Sequence, residues 1–206
     1  MNLPQGSQRK WEFVPDGQVS FVRLLLHFKM NGEHYLDDAR AQFQKLREMA
    51  EKALGQVSDE TFFAELSPVS NSLAVIVKHV AGNARSRWTD FLTADGEKPD
   101  RKRDTEFLVA PGDTRASLME RWEHGWHCLD EALGPLREPD LGRTVMIRAQ
   151  PHTVVQAINR QLTHYAYHVG QIVYLARYFA GDAWKTLSIP RGKSEEFNRK
   201  MQARNQ

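Results

Sequence analysis

His164 and His168 stand four residues apart in Gln161-Leu162-Thr163-His164-Tyr165-Ala166-Tyr167-His168-Val169-Gly170-Gln171. Read as a helix, this stretch sends both imidazoles from one face, because four residues are slightly more than one turn. A helix uses that spacing to give two nitrogens to one metal ion. A metal site needs at least one more ligand. His79, in Val77-Lys78-His79-Val80-Ala81-Gly82-Asn83, is the candidate. Asn83 and Arg87 follow it at i+4 and i+8 on the same face, placed to support a ligand or to meet a substrate. The plainer reading of those three is a partly exposed edge stripe. Three neutral imidazoles would leave the ion its full charge and one or two positions for water or a thiol. No fourth ligand stands at an obvious spacing, which favours an open site over a closed structural one.

The other histidines are weaker candidates. His124 and His127, at i and i+3 beside Cys128, share a helix face, but Glu120, Trp122, Glu123 and Trp126 surround them without an apolar stripe leading to the pair. They read as surface, and Cys128 as a packed thiol. His27, His34 and His152 have no partner at ligand spacing. Around His164 and His168, the apolar Leu162, Ala166, Val169 and Val173 suggest a buried face, where an unpaired imidazole is costly. Gly170 would let another backbone approach.

Four long periodic segments must position these residues. The first covers 18–54, with Phe21, Leu24, Leu25, Phe28, Leu36, Ala39, Phe43, Leu46, Met49, Ala50 and Leu54 at three- and four-residue steps and an interruption at Asn31-Gly32. A short turn capped by Ser58 follows. The second long segment covers 70–92, capped by Ser70 or Asn71, with Leu73, Ile76, Val77, Val80, Ala84, Trp88 and Leu92 as its stripe. The third covers 114–133, capped by Asp113 and stopped by Gly134-Pro135. The fourth covers 152–180, capped by Thr153 and followed by Gly181. Between the second and third, residues 93–113 read as a polar, exposed loop long enough to carry function or be disordered. Thr144 to Ile147 read as a short extended piece. The expected fold is all-α, a four-helix bundle with long inter-helix loops. Residues 1–17 would form an arm tacked down by Trp11 and Phe13, residues 18–190 the bundle, and residues 191–206 a basic, frayed tail after Trp184, Leu187 and Ile189 dock.

A chain of 206 residues with 41% hydrophobic content suits one domain with a real core. The net charge of +2 is too balanced to suggest nucleic-acid binding. There is no run of about 18 apolar residues to cross a membrane. The N-terminus lacks the pattern of a signal peptide, and one cysteine cannot form an internal disulfide. The expectation is a cytoplasmic protein.

The histidine pattern resembles the DinB/YfiT-like metalloenzyme family, in which a helical His precedes an H-x-x-x-H pair followed by Gly-Gln. Here those positions are His79, His164, His168 and Gly170-Gln171. More of the chain is similar to one poorly characterised branch: Asn71-Ser72-Leu73, Gly82-Asn83, Arg87-Trp88, Asp95-Gly96-Glu97-Lys98, Arg101 to Phe107, and Trp184 to Ser194. The resemblance covers most of residues 20–197. It implies an up-and-down four-helix bundle, a divalent metal (zinc or nickel) on His79, His164 and His168, and frequent homodimers. Related members transfer low-molecular-weight thiols onto electrophiles or isomerise maleylpyruvate with a thiol cofactor. The leading expectation is therefore metal-dependent thiol transfer, with a small-molecule thiol and an electrophile as partners and with Asn83 and Arg87 either facing substrate or supporting the ligands. The alternatives are a metal-dependent hydrolase and a non-catalytic, metal-containing binding or stress-response bundle.

Overall fold

The computed structural model describes residues 32–204. The arm over residues 1–17 with Trp11 and Phe13, the helical pattern over residues 18–31, and His27 lie outside the described residues.

Helix α1, Gly32–Leu54, buries Leu36, Ala39, Phe43, Ala50, Ala53 and Leu54, which repeat with the helical period. Helix α2, Asp59–Phe63, is short and is capped as expected: the Ser58 hydroxyl accepts the Thr61 N–H at 3.2 Å. Helix α3, Leu73–Trp88, is buried almost all round, which marks a central helix. Its cap is Ser72, whose hydroxyl accepts the Val75 N–H at 3.3 Å. Neither Ser70 nor Asn71 takes that role, because the Ser70 hydroxyl closes a turn on Ser67. Helix α4, Arg115–Leu133, is capped by Thr114 and Ser117 in a reciprocal capping box. Asp113 is not the cap, because its carboxylate is held by Lys78 at 2.6 Å and by the Ala110 N–H at 2.9 Å.

The extended piece Thr144–Ile147 is strand β1, paired antiparallel with strand β2, Gln150–Thr153. Both residues of the connecting turn, Arg148 and Ala149, have positive φ, at 54° and 57°. That is the backbone of a tight hairpin turn, and it is strained for residues with a Cβ. Asp95 offsets the strain. Its carboxylate accepts both turn N–H groups, Arg148 at 2.8 Å and Ala149 at 2.7 Å. Thr153 ends the hairpin and caps helix α5, Val154–Ala180, in a second capping box with Gln156.

Among the described residues the chain is mostly helical, with one small hairpin. Helix α3 packs along α4, α1 packs along α5, and α3 also meets α5. The α3–α4 approach is close because α4 offers Gly125, where a Cβ would lie 3.0 Å from the Ala81 carbonyl and from Ala84. The core is aromatic where the helices converge: Phe43 meets Trp88 and Tyr165 edge-on, each with ring centres 5.8 Å apart. Trp88 donates its indole N–H to the Tyr165 hydroxyl at 3.1 Å, so neither buried polar atom is left unpaired. No described helix is long and apolar enough to cross a membrane.

Two further expectations need correction. The 93–113 stretch is not a structureless exposed loop. It contains a 3-10 turn, Arg103–Phe107, buries Gly96 and Glu106, and leaves the Arg101 side chain only 2% exposed. Its charges are internally matched, and matched charges can be buried where single ones cannot. The C-terminal tail is not frayed through its length either. Trp184 and Leu187 pack on the core, but Ile189 is exposed, and Ser194–Arg204 form helix α6.

Candidate metal centre

Helix α3 carries His79 and helix α5 carries His164 and His168, and their packing points all three imidazoles at one spot. The Nε2 atoms of His79 and His164 are 3.4 Å apart, and those of His164 and His168 are 3.1 Å apart. One ligand atom from each of the three lies within 4.8 Å of the others. Two nitrogens bound to one tetrahedral ion at about 2.0–2.1 Å stand roughly 3.3 Å apart, so these spacings match a shared ion.

The outward nitrogens set the tautomers. His79 Nδ1 lies 2.8 Å from Glu106 Oε2, and a carboxylate only accepts, so the proton sits on Nδ1 and the Nε2 lone pair is free. His168 Nδ1 lies 2.9 Å from Gln171 Oε1, which places its proton the same way. Two lone pairs therefore face the His164 Nε2, while the buried His164 Nδ1 has no hydrogen-bond partner. Three imidazoles cannot satisfy one another in this arrangement, and a cation among the Nε2 atoms can. Burial, then repulsion from His168 and His79, pulls the His164 pKa down to about 3. Burial also lowers His168, against the opposing effect of Gln171. Both are ready as neutral ligands at neutral pH.

Glu106 is the support that the helical pattern did not reveal. Burial alone would raise its pKa, but the bonds from His79 and Arg101 overcome it and keep it ionised. Arg101 grips both oxygens, at 2.8 and 2.9 Å. Carboxylate–histidine–metal triads of this kind orient a ligand and raise its basicity. Gly82, one helical turn from His79, makes room for Glu106: a Cβ at Gly82 would lie 2.8 Å from the Glu106 carboxyl carbon.

The family model described as a protein of unknown function, DUF1572, matches residues 30–193. The chain is a DUF1572 protein. That family is DinB/YfiT-like. No curated protein matches the chain.

In this DUF1572 chain the predicted site residues come together. Asn83 is buried one turn from His79 and accepts a 3.0 Å bond from the Gln161 side chain on α5. Arg87 is buried a further turn away, donating to the Gly96 carbonyl and lying 3.3 Å from Glu97. The His79–Asn83–Arg87 stripe is therefore not an exposed edge. A cavity of about 430 Å³ opens beside the histidines, lined in part by His79, Asn83, Arg87, Arg148, Arg160 and His164.

His124 and His127 do not join a metal cluster among the described residues. His124 rests 3.8 Å from Cys128 and His127 pairs with Glu131 at the surface. Cys128 is buried, as a packed thiol should be. Gly170 admits no close backbone, since nothing lies within 4 Å of a Cβ placed there. Ala166 is exposed as well, so the burial of the pair rests on Val169 and the facing α3, not on an apolar ring around α5. Sequence reasoning missed Glu106, Arg101 and the ligand-orienting role of Gln171. The first two lie in an irregular segment where no period marks which side chain turns inward. Gln171, at i+3 from His168, carried a readable signal.

Proposed function

We propose that this DUF1572 protein is a metal-dependent enzyme on a DinB/YfiT-like four-helix bundle. The Nε2 atoms of His79, His164 and His168 would hold one divalent ion, zinc or nickel. The observation that carries this reading is the convergence of three Nε2 atoms, two of them deprotonated by the acceptors behind them. A divalent ion held there would make a bound water or thiol a nucleophile near neutral pH. The chain's own residues do the positioning. Glu106 and Gln171 fix two ligand rings, Asn83 and Gln161 tie α3 to α5 beside them, and Arg87 faces the cavity from which substrate would enter.

The reaction we favour is transfer of a low-molecular-weight thiol onto an electrophile. It is supported by the resemblance to thiol-transferring relatives and by an accessible cavity beside a set of three ligands. Metal analysis of the purified protein should find about one divalent ion per chain. His79→Ala, His164→Ala and His168→Ala should each lose most of it, because two ligands hold an ion far less well than three. His124→Ala and His127→Ala should keep it. Consumption of an electrophile with and without added thiol then separates thiol transfer from hydrolysis. Full occupancy in all three ligand variants would overturn the centre.

A further inference from the structure

The cavity beside the histidines is lined with guanidinium groups whose counter-charge is shared and incomplete. Glu97 Oε2 serves three of them: Arg87 at 3.3 Å, Arg101 at 3.3 Å and Arg148 at 3.2 Å. Arg101 has a second carboxylate in Glu106, but Arg87 and Arg148 have no other ion-pair partner among the described residues. Arg160 lines the same cavity and makes no ion pair among the described residues. The nearby Asp95 carboxylate is taken up by the backbone N–H groups of Glu97, Arg148 and Ala149.

Arg87 shows the deficit most sharply. It is 5% exposed, and its Nε is buried with no acceptor. Burial, and after it repulsion from Arg101, Arg148 and Arg160, lowers its pKa against the pull of Glu97. A buried cation short of acceptors is costly, and an anionic ligand in the cavity would supply the missing charge. The hairpin has a purpose in this arrangement. Its strained turn, pinned by Asp95, carries Arg148 to the cavity rim.

We propose that Arg87, Arg148 and Arg160 form a subsite for a carboxylate or phosphate group of the substrate. Guanidiniums recognise both groups through paired N–H donors. Arg160 is one turn from His164 and Arg87 two turns from His79, roughly 6 and 12 Å along the helices. The cavity of about 430 Å³ suits a small metabolite. The substrate class is thus a small anionic molecule whose charged end sits in the arginines while its reacting atom reaches the histidines. The link to reactivity rests on the metal-centre reading; the anion site itself does not.

Calorimetric titration of the full chain, chelated and zinc-loaded, with inorganic phosphate and with succinate at low salt tests this. At least one of the two anions should bind saturably in both forms. Arg148→Gln and Arg160→Gln, both at exposed positions, should each weaken that binding about tenfold, while Arg199→Gln on α6 leaves it unchanged. The tighter anion identifies the group as phosphate or carboxylate. Binding of neither anion, or equal binding by wild type and both cavity variants (an adventitious ion only), overturns the subsite. The chelated arm reads the arginines alone. A chain that binds the anion but no zinc refutes the metal centre and leaves the subsite standing. A chain that binds zinc but neither anion does the reverse.

Discussion

His79 Nδ1 and Glu106 Oε2 lie 2.8 Å apart, and both residues are buried. This contact joins α3 to the 3-10 turn Arg103–Phe107, so the loop before α4 is part of the candidate metal centre and not a mere connection. Glu106→Gln keeps the size of the side chain and removes its charge. Apparent zinc affinity, measured by competition with a chromophoric chelator, should fall about 10- to 100-fold, while far-UV circular dichroism keeps its helical signal. Unchanged affinity would mean that Glu106 serves only to neutralise Arg101.

Gly82 makes a sharper test because local and tertiary effects oppose each other. Alanine is favoured over glycine inside a helix by about 1 kcal/mol, so α3 taken alone should gain from Gly82→Ala. The added methyl would, however, sit 2.8 Å from the Glu106 carboxyl carbon. Glu106 must swing away and His79 loses its acceptor. Zinc affinity should drop toward that of Glu106→Gln, and the double variant should be no worse than either single one. Additive losses would separate Gly82 from Glu106.

The histidines also predict a pH dependence of the metal-free protein. His164 is depressed to about 3 and His168 is lowered, both by burial first, whereas an unfolded histidine titrates near ~6.5. Below that value the unfolded chain takes up protons that the folded chain refuses. The stability tied to His164 is therefore fully present above about pH 6.5 and is lost as pH falls toward about 3. The Tm of chelated protein should fall between pH 7 and pH 5, and the fall should be smaller in His164→Asn. Zinc retention should decline over the same window, since protons compete for the same nitrogens. An equal fall in wild type and His164→Asn would remove His164 as the cause.

The helices and the His164/His168 pair were legible in the sequence because both obey a period. Leu36, Ala39 and Phe43 on α1, or His164 and His168 on α5, announce a shared face by spacing alone. Caps were less legible. Ser70, Asn71 and Ser72 are equivalent as residue types, and only tertiary geometry selects Ser72; Asp113 lost the cap of α4 to Thr114 because Lys78 claimed its carboxylate. By composition alone the 93–113 stretch reads as solvent-exposed, because it is rich in charge. Composition counts charges but does not pair them: Arg101 pairs with both Glu97 and Glu106, and Glu106 also accepts from His79, which turns these side chains inward. The arginine-lined cavity was hidden for the same reason: Arg87, Arg148 and Arg160 come from a helix, a hairpin turn and another helix, with no sequence spacing to connect them.

Arg101 is the residue on which that hidden order depends. Its side chain is 2% exposed and bonds Glu106 through two nitrogens and Glu97 through a third. Arg101→Gln would leave Glu106 short of its buried counter-charge, whereas Glu97 keeps Arg87 and Arg148; removing one partner of a buried pair is strongly destabilising. The stretch from Gly96 to Phe107 should then open more often. Each loss of about 1.4 kcal/mol in local stability raises the opened population about tenfold. Lys102 and Arg103 remain as trypsin sites in the variant (Lys98 precedes Pro99 and is not one), so cleavage there should be at least about tenfold faster than in wild type under native conditions, with α3 and α5 still resistant. Zinc affinity should fall too, because Glu106 would no longer be held against His79. Equal cleavage rates in the two proteins would show that the stretch is held by its backbone alone and that the Arg101–Glu106 pair does not order it.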